Sequence, residues 1–286
     1  MFMKTKFKKG MISLGFISAL ILLTIVIVFS ISNFQSFKVT TYKIDTDKNV
    51  NNLRIVFVSD LHLKEYGKNN IDLVNAIKNL NPDLIVIGGD SIIYKVDEYS
   101  SAINFINEAT QIAPTYFSLG NHEWAEIYDR KKYSLLDDLQ STDAIYLENN
   151  MIQTNIKDMN IVICGIIDSV KAEHSLSDSV LNDFNNEIYN DSFKLLLSHR
   201  PTMISYTNIT PKADLILSGH EHGGQVIIPF TKQGLYSRNQ GFLPKYTNGA
   251  HIIENNLVII STGLSNSDLI VPRVNNQPEL VVIDVN

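Results

Sequence analysis

The stretch Leu53–His62 reads LRIVFVSDLH: an apolar, β-branched run that stops abruptly at Asp60 and then offers His62 two positions on. A run with no polar alternation fits a strand covered on both faces, and side chains two apart on extended chain project to the same side. The event recurs four times along the chain. DLIVIGGD stops at Asp90, PTYFSLGN at Asn121, FKLLLSH at His199 and ADLILSGH at His220, with His222 again two residues further. Helical spacing separates several of these runs. In NNIDLVNAIKNLN the residues Ile71, Val74, Ile77 and Leu80 recur on one helical face, and a second helix is expected around Glu98 to Ala109. Strands alternating with helices give an α/β fold, in which ligands collect at the carboxyl ends of the strands. All five polar stops fall there.

The rest of the composition narrows the field. A chain of 286 residues with 44% hydrophobic content is long enough to bury a large core, so disorder is excluded as an organising principle. Its net charge of -6 is spread without long like-charge blocks, which leaves no electrostatic footprint for nucleic acid, and no nucleic-acid partner is expected. The single cysteine, Cys164, lies inside the apolar run IVICGI and reads as a small buried side chain. One thiol neither forms an internal disulfide nor identifies a compartment.

The N-terminus carries a separate signal. Met11 to Ile31 is an uncharged, predominantly apolar stretch of 21 residues, which as a helix spans roughly 30 Å, the thickness of a bilayer's hydrocarbon. Lys4, Lys6, Lys8 and Lys9 precede it and place the short tail in the cytoplasm, although Lys38, Lys43 and Lys48 follow on the other side. The expected organisation is a basic cytoplasmic tail over residues 1–10, a transmembrane anchor over 11–31, a linker and first strand region over 32–52, and an extracytoplasmic main domain over 53–286. The alternative is secretion after signal cleavage, for which Ser30 and Ser32 supply a small-x-small pair. No repeat of fixed period and no composition shift marks a further domain.

The chemistry lies in the polar stops. Asp60, His62, Asp90, Asn121, His199, His220 and His222 combine imidazole, carboxylate and amide oxygen. That set suits first-row divalent metals such as Mn, Fe, Co or Zn and not the all-oxygen preference of Ca or Mg. Seven such donors exceed what one ion uses. Two ions about 3.5–4 Å apart can share them and clamp the attacking and leaving oxygens of a displacement at phosphorus. The glycines around the last pair, Gly219, Gly223 and Gly224, allow sharp turns and the close approach of an ion or phosphate.

The order SDLHL, GGD, GNHE, SHRP, GHEHGGQ resembles the calcineurin-like metallophosphoesterases from about Leu53 to the C-terminus, and the tail looks most like the membrane-anchored bacterial YkuE-like branch with its UDP-2,3-diacylglucosamine pyrophosphatase relatives. The resemblance implies two facing mixed β-sheets flanked by helices. It assigns Asp60, His62 and His222 to one ion, Asn121, His199 and His220 to the other, and Asp90 as the bridge. It further implies a hydrolase of phosphodiester, phosphomonoester or pyrophosphate bonds that works by attack of a metal-bridging hydroxide on a phosphorylated, lipid-linked or cell-envelope substrate. His122 then protonates or stabilises the leaving group. A non-catalytic metal-binding scaffold on the same fold is the other class of function, and retention of every ligand weighs against it.

One position departs from the family. Where many members carry a second aspartate after GD, here Ile93 stands, so the usual partner of His122 is missing. Either another carboxylate such as Glu123 supports His122, or the reaction needs less protonation of its leaving group. Arg200 and Arg273 are candidate phosphate contacts, with a solvated surface arginine as the plainer reading of each. His174 and His251 match no ligand position and are expected to be structural. Phe230, Tyr236, Phe242 and Tyr246 follow the last motif in a long loop. They read as core, or as a rim that faces membrane or substrate. Oligomeric state leaves no mark on the sequence.

Overall fold

The computed structural model describes residues 15–18, 20–22, 24, 36–48, 52–168, 175–265 and 272–286. Fourteen strands are assigned there: β1 (Lys38–Ile44), β2 (Leu53–Val58), β3 (Leu84–Ile87), β4 (Thr115–Ser118), β5 (Ile145–Leu147), β6 (Asn150–Ile156), β7 (Met159–Gly165), β8 (Phe193–Leu197), β9 (Leu215–Ser218), β10 (Tyr236–Ser237), β11 (Gly241–Phe242), β12 (Gly249–Ile253), β13 (Asn256–Ile260) and β14 (Glu279–Val285). They form two six-stranded sheets, β1-β14-β2-β3-β4-β5 and β12-β13-β9-β8-β7-β6, with β10 and β11 as a separate ribbon. Both sheets are mixed. β2, β3, β4 and β5 run parallel, as do β7, β8, β9 and β13, while β14 is antiparallel to β2 and hairpins add β6 and β12 at the two edges of the second sheet.

The unbroken apolar runs have a direct cause in this layering. Ile55 and Phe57 of β2, Leu84 and Val86 of β3, Leu195 and Leu197 of β8, and Leu215 and Leu217 of β9 all face the space between the sheets. Their sequence neighbours turn the other way. Val56, Val58, Ile85 and Ile87 meet Leu73, Ile77, Phe105, Ala109 and Leu139 from the helices Ile71–Asn79, Ser100–Thr110 and Tyr133–Gln140. Leu196 and Ile216 meet Val180, Leu181 and Phe184 of the helix Ser175–Phe184, and Cys164 is buried in the same layer. Every central strand is thus covered on both faces, and period-2 alternation has no solvent side to report.

The first helix differs in detail from the expected stripe. Its buried face is Leu73, Val74 and Ile77, whereas Ile71 is half exposed at the N-terminus and Leu80 caps the end. The turn before this helix is made by Gly67, Asn69 and Asn70 with left-handed backbone, and Ile71 follows it directly at the helix start. β1 falls within the stretch 32–52 and pairs in parallel with β14, so the chain entering from the N-terminal side is built into the first sheet. Most of the apolar segment 11–31 and the whole of 1–10 lie outside the described residues. Residues 15–18, 20–22 and 24 are helical and exposed, and among the described residues no helix is long and apolar enough to cross a membrane.

Candidate metal centre

All seven predicted donors lie just beyond the carboxyl ends of β2, β3 and β4 in one sheet and β8 and β9 in the other. Five of them sit in the left-handed backbone region: Asp60 (φ 54°), His62 (44°), Asp90 (52°), His220 (69°) and His222 (47°). That conformation costs an L-residue about 1–2 kcal/mol, least for Asp, Asn and His, and strain of this kind gathers at functional sites. Here it turns each side chain back into the cleft as the strand ends. Close packing of the strand ends explains the glycine at 219. A Cβ there would lie 2.0 Å from Ser59 Oγ and 2.2 Å from Asp60 Oδ2, so any side chain would drive the β9 turn away from Asp60.

The Asp90 carboxylate is the hub. Its Oδ2 lies 3.2 Å from His199 Nε2, 3.6 Å from His62 Nε2 and 4.0 Å from His122 Nε2, while its Oδ1 accepts the His122 backbone N–H at 2.8 Å. Asp60 is the second centre. Its Oδ1 lies 3.8 Å from His222 Nε2 and 3.9 Å from His199 Nε2, and its carboxylate accepts the His220 N–H and the Ser59 hydroxyl. Three sets have ligand atoms within 4.8 Å of one another: Asp60, His62 and His222; His62, Asp90 and His122; Asp90, His199 and His220. The side-chain oxygen of Asn121 is buried without a partner.

These atoms fit a pair of cations. His62 Nδ1 bonds the Ile92 carbonyl at 3.0 Å and His199 Nδ1 bonds the Gly88 carbonyl at 2.7 Å. A carbonyl only accepts, so each ring carries a proton on Nδ1 and turns its Nε2 into the cleft. Both Nε2 atoms are buried without a hydrogen-bond partner, like Asn121 Oδ1. Unmet buried polar atoms cost about 1–3 kcal/mol each, and a cation satisfies all of them together. Burial pushes His62, His220 and His222 below the usual imidazole range, toward the neutral form that ligates. Burial opposes charge on His199 and Asp90 as well, but their proximity prevails: His199 is held well above its ordinary value and Asp90 well below. Burial raises the Asp60 carboxyl.

His122 is oriented by the main chain. The Tyr94 backbone N–H donates to its Nδ1 at 2.8 Å, so the neutral ring carries its proton on Nε2, the nitrogen that faces Asp90. This N–H stands where the missing carboxylate was sought, one residue past Ile93. Glu123 is not that partner. Its buried carboxylate accepts four backbone N–H groups, from Asp90 (2.8 Å), Ser91 (2.6 Å), Ile92 (3.1 Å) and Gly120 (3.0 Å), and so ties the turn after β3 to the start of the helix Asn121–Trp124.

The two arginines are placed differently. Arg200 Nε lies 2.9 Å from Asp168 Oδ1 beside the centre, with part of its side chain still open to solvent. Arg273 is not the solvated side chain of the plainer reading: it is 1% exposed, donates to the Thr262 carbonyl at 2.6 Å and lies 3.3 Å from His222 Nδ1, backing that ring. Asp168 was not singled out from sequence. It is buried, with Oδ2 3.9 Å from His199 Nε2. Its signal was present, since IVICGIID is a sixth apolar run that stops at an aspartate. His251 bonds the Asn248 carbonyl at 2.8 Å away from the cluster, and His174 lies outside the described residues.

The Glu123 clamp yields a test: Glu123→Ala leaves four backbone N–H groups without acceptors and is expected to lower stability by on the order of 3 kcal/mol or more, read as a fall in the urea midpoint. An unchanged midpoint would contradict the clamp. Known proteins are similar to this chain in sequence. A metallophosphoesterase of Campylobacter jejuni is 29% identical over 230 residues, covering 79% of this chain, and this chain spans 58% of that protein's length. YpbG of Bacillus subtilis is 28% identical, with 76% of this chain and 78% of that protein covered. Among solved structures, TT1561 of Thermus thermophilus aligns with a TM-score of 0.46 at 10% identity, over 76% of this chain and 92% of that one. The family model for calcineurin-like phosphoesterases matches residues 53–224, from β2 through the last metal-site motif, and the chain belongs to that family.

Proposed function

We propose that this chain is a metal-dependent phosphoesterase in which Asp60, His62 and His222 hold one divalent ion, Asn121, His199 and His220 hold a second, and Asp90 faces both. The observation that carries this reading is the Asp90 carboxylate, buried and met by three imidazole nitrogens while neighbouring lone pairs go unsatisfied. When bound, two such ions of Mn, Fe, Zn or Co supply a water of lowered pKa and neutralise charge at phosphorus. The chain's own groups do the rest. His122 offers Nε2–H to the leaving oxygen, and Arg200, steadied by Asp168, offers guanidinium donors to a non-bridging phosphate oxygen.

The finer reading extends to substrate and place. His122 is set by an uncharged backbone N–H, so no carboxylate reinforces it as an acid; this favours a diester or pyrophosphate with a good leaving group over an alkyl monoester. The apolar stretch 11–31 with its basic flank supports a membrane-anchored enzyme with residues 53–286 outside the cytoplasm, as in the YkuE-like branch. A lipid-linked phosphate would then be held at high effective concentration by the tether.

Two experiments test the reading. The full chain, loaded with Mn and with bound metal measured, is assayed on a bis-aryl phosphodiester, an aryl monoester and a lipid pyrophosphate. Hydrolysis of the diester or pyrophosphate is expected, and inactivity on all three with metal bound would overturn the enzyme assignment. His122→Ala is expected to lower kcat by about 10²–10⁴ on substrates with poor leaving groups and by clearly less on those with good ones. An equal loss on both would remove the proton-donor role.

A further inference from the structure

The loop that follows His222 carries features that neither the core nor the metal centre uses. From Gln225 to Ala250 the chain contains Lys232, Arg238 and Lys245 and not one acidic residue, in a protein whose net charge is -6. The same loop turns large apolar side chains outward: Phe230 is 107% exposed and Phe242 78%, with Tyr236 and Leu243 also exposed. Two of these hold left-handed backbone, Phe230 at φ 65° and Leu243 at φ 52°. Bulky residues rarely adopt that conformation, so the loop takes on strain while leaving apolar surface in water. Tyr236 and Phe242 stand together across the β10–β11 ribbon, ring centroids 5.3 Å apart.

Two sets of contacts fix where this surface points. On one side the loop borders the centre: the Asn239 amide meets His220 Nε2 at 2.8 Å, and the Ser237 hydroxyl bonds the Glu221 carboxylate. On the other side its base is joined to the entry of the N-terminal chain. Ile227 N–H donates to the Val274 carbonyl at 3.0 Å, and the same short segment accepts Lys38 N–H at the Pro278 carbonyl (2.9 Å) and reaches Ser36 from Gln277 (3.2 Å). Only residues 32–37 separate Ile31 from β1, a reach of about 20 Å fully extended. That reach ties the entry of the stretch 11–31 to the end of β1 at which the loop's base is joined. Aromatic and aliphatic side chains interleaved with Lys and Arg, and free of acids, match the interface of an anionic bilayer in both polarity and charge.

We infer that the loop from Ile227 to Asn248 seats on an anionic phospholipid surface and turns the mouth of the metal centre toward the headgroup layer, so that the substrate class is an amphiphilic phosphate ester or pyrophosphate. The substrate part rests on the phosphoesterase reading above; the seat itself rests on the loop. Cys164 is fully buried and burial raises its thiol pKa, so an introduced surface cysteine can be labelled selectively. Nitroxide is placed singly on Phe242→Cys, Leu22→Cys and, as an exposed site outside the loop, Ile188→Cys. Each full chain is reconstituted into vesicles of phosphatidylglycerol with phosphatidylcholine, and collision with oxygen and with an aqueous nickel chelate is measured. Position 242 is expected to gain oxygen access and lose nickel access relative to 188, and to lose that shielding in pure phosphatidylcholine or in the Lys232→Gln, Arg238→Gln, Lys245→Gln variant. Nickel access at 242 equal to that at 188 overturns the seat, whatever position 22 reads. Shielding that ignores lipid charge overturns the anionic assignment, and dipolar broadening at 242 would identify a second copy of the chain as the occupant instead. An aqueous signal at 22 with a shielded 242 would refute the anchor and leave the seat standing, while failure of the hydrolysis assay is read independently of both.

Discussion

The arrangement depends on keeping one carboxylate, that of Asp90, ionised where water does not reach it. Charge without solvent is costly unless opposite charge or donors surround it. Asp90 meets this demand with three imidazole nitrogens at Oδ2 and a backbone N–H at Oδ1. Those partners come from three separate strand ends: His62 and His122 follow the strands on either side of β3, and His199 reaches Asp90 only when the second sheet packs against the first. The sheets in turn close only because the strands β2, β3, β8 and β9 are apolar on both faces, one packed between the sheets and one beneath helices. The same feature of the sequence builds the core and delivers the donors, because each strand must end somewhere and ends near a polar side chain at the cleft, left-handed after β2, β3 and β9.

Much of this could be read from sequence, for an identifiable reason. An apolar run that stops at Asp, Asn or His encodes both burial and the direction of the next side chain, and five such stops in one chain specify a convergence. The run ending at Asp168 has the same form and was passed over, since no histidine or glycine beside it draws attention. What could not be read was the work done by the main chain. The donor to His122 Nδ1 is the N–H of Tyr94, which any non-proline residue would supply, so no side chain marks it. Glu123 looked available as a carboxylate partner because sequence shows its position and not its four backbone donors. The Ile71 to Leu80 stripe departs only at Ile71, which lies half exposed directly after left-handed Asn69 and Asn70, while Val74, Ile77 and Leu80 pack on the core.

Division of labour within the centre follows from these contacts. Backbone groups position the side chains, through Ile92 and Gly88 carbonyls behind His62 and His199 and through the Glu123 clamp beneath Asp90, so the donors are pre-set and lose little freedom on binding ions. Arg273, behind His222, and Asp168, beside Arg200, extend the same support with side chains. The loop that borders His220 turns Phe230, Phe242 and Leu243 outward, in contrast to the buried donors of the centre.

The most direct test of the central claim is diffraction from crystals grown with Mn, with data collected at the manganese absorption edge. Two anomalous peaks about 3.5–4 Å apart, both beside the Asp90 carboxylate, are the predicted result. A single peak, or two peaks that do not share Asp90, would contradict it.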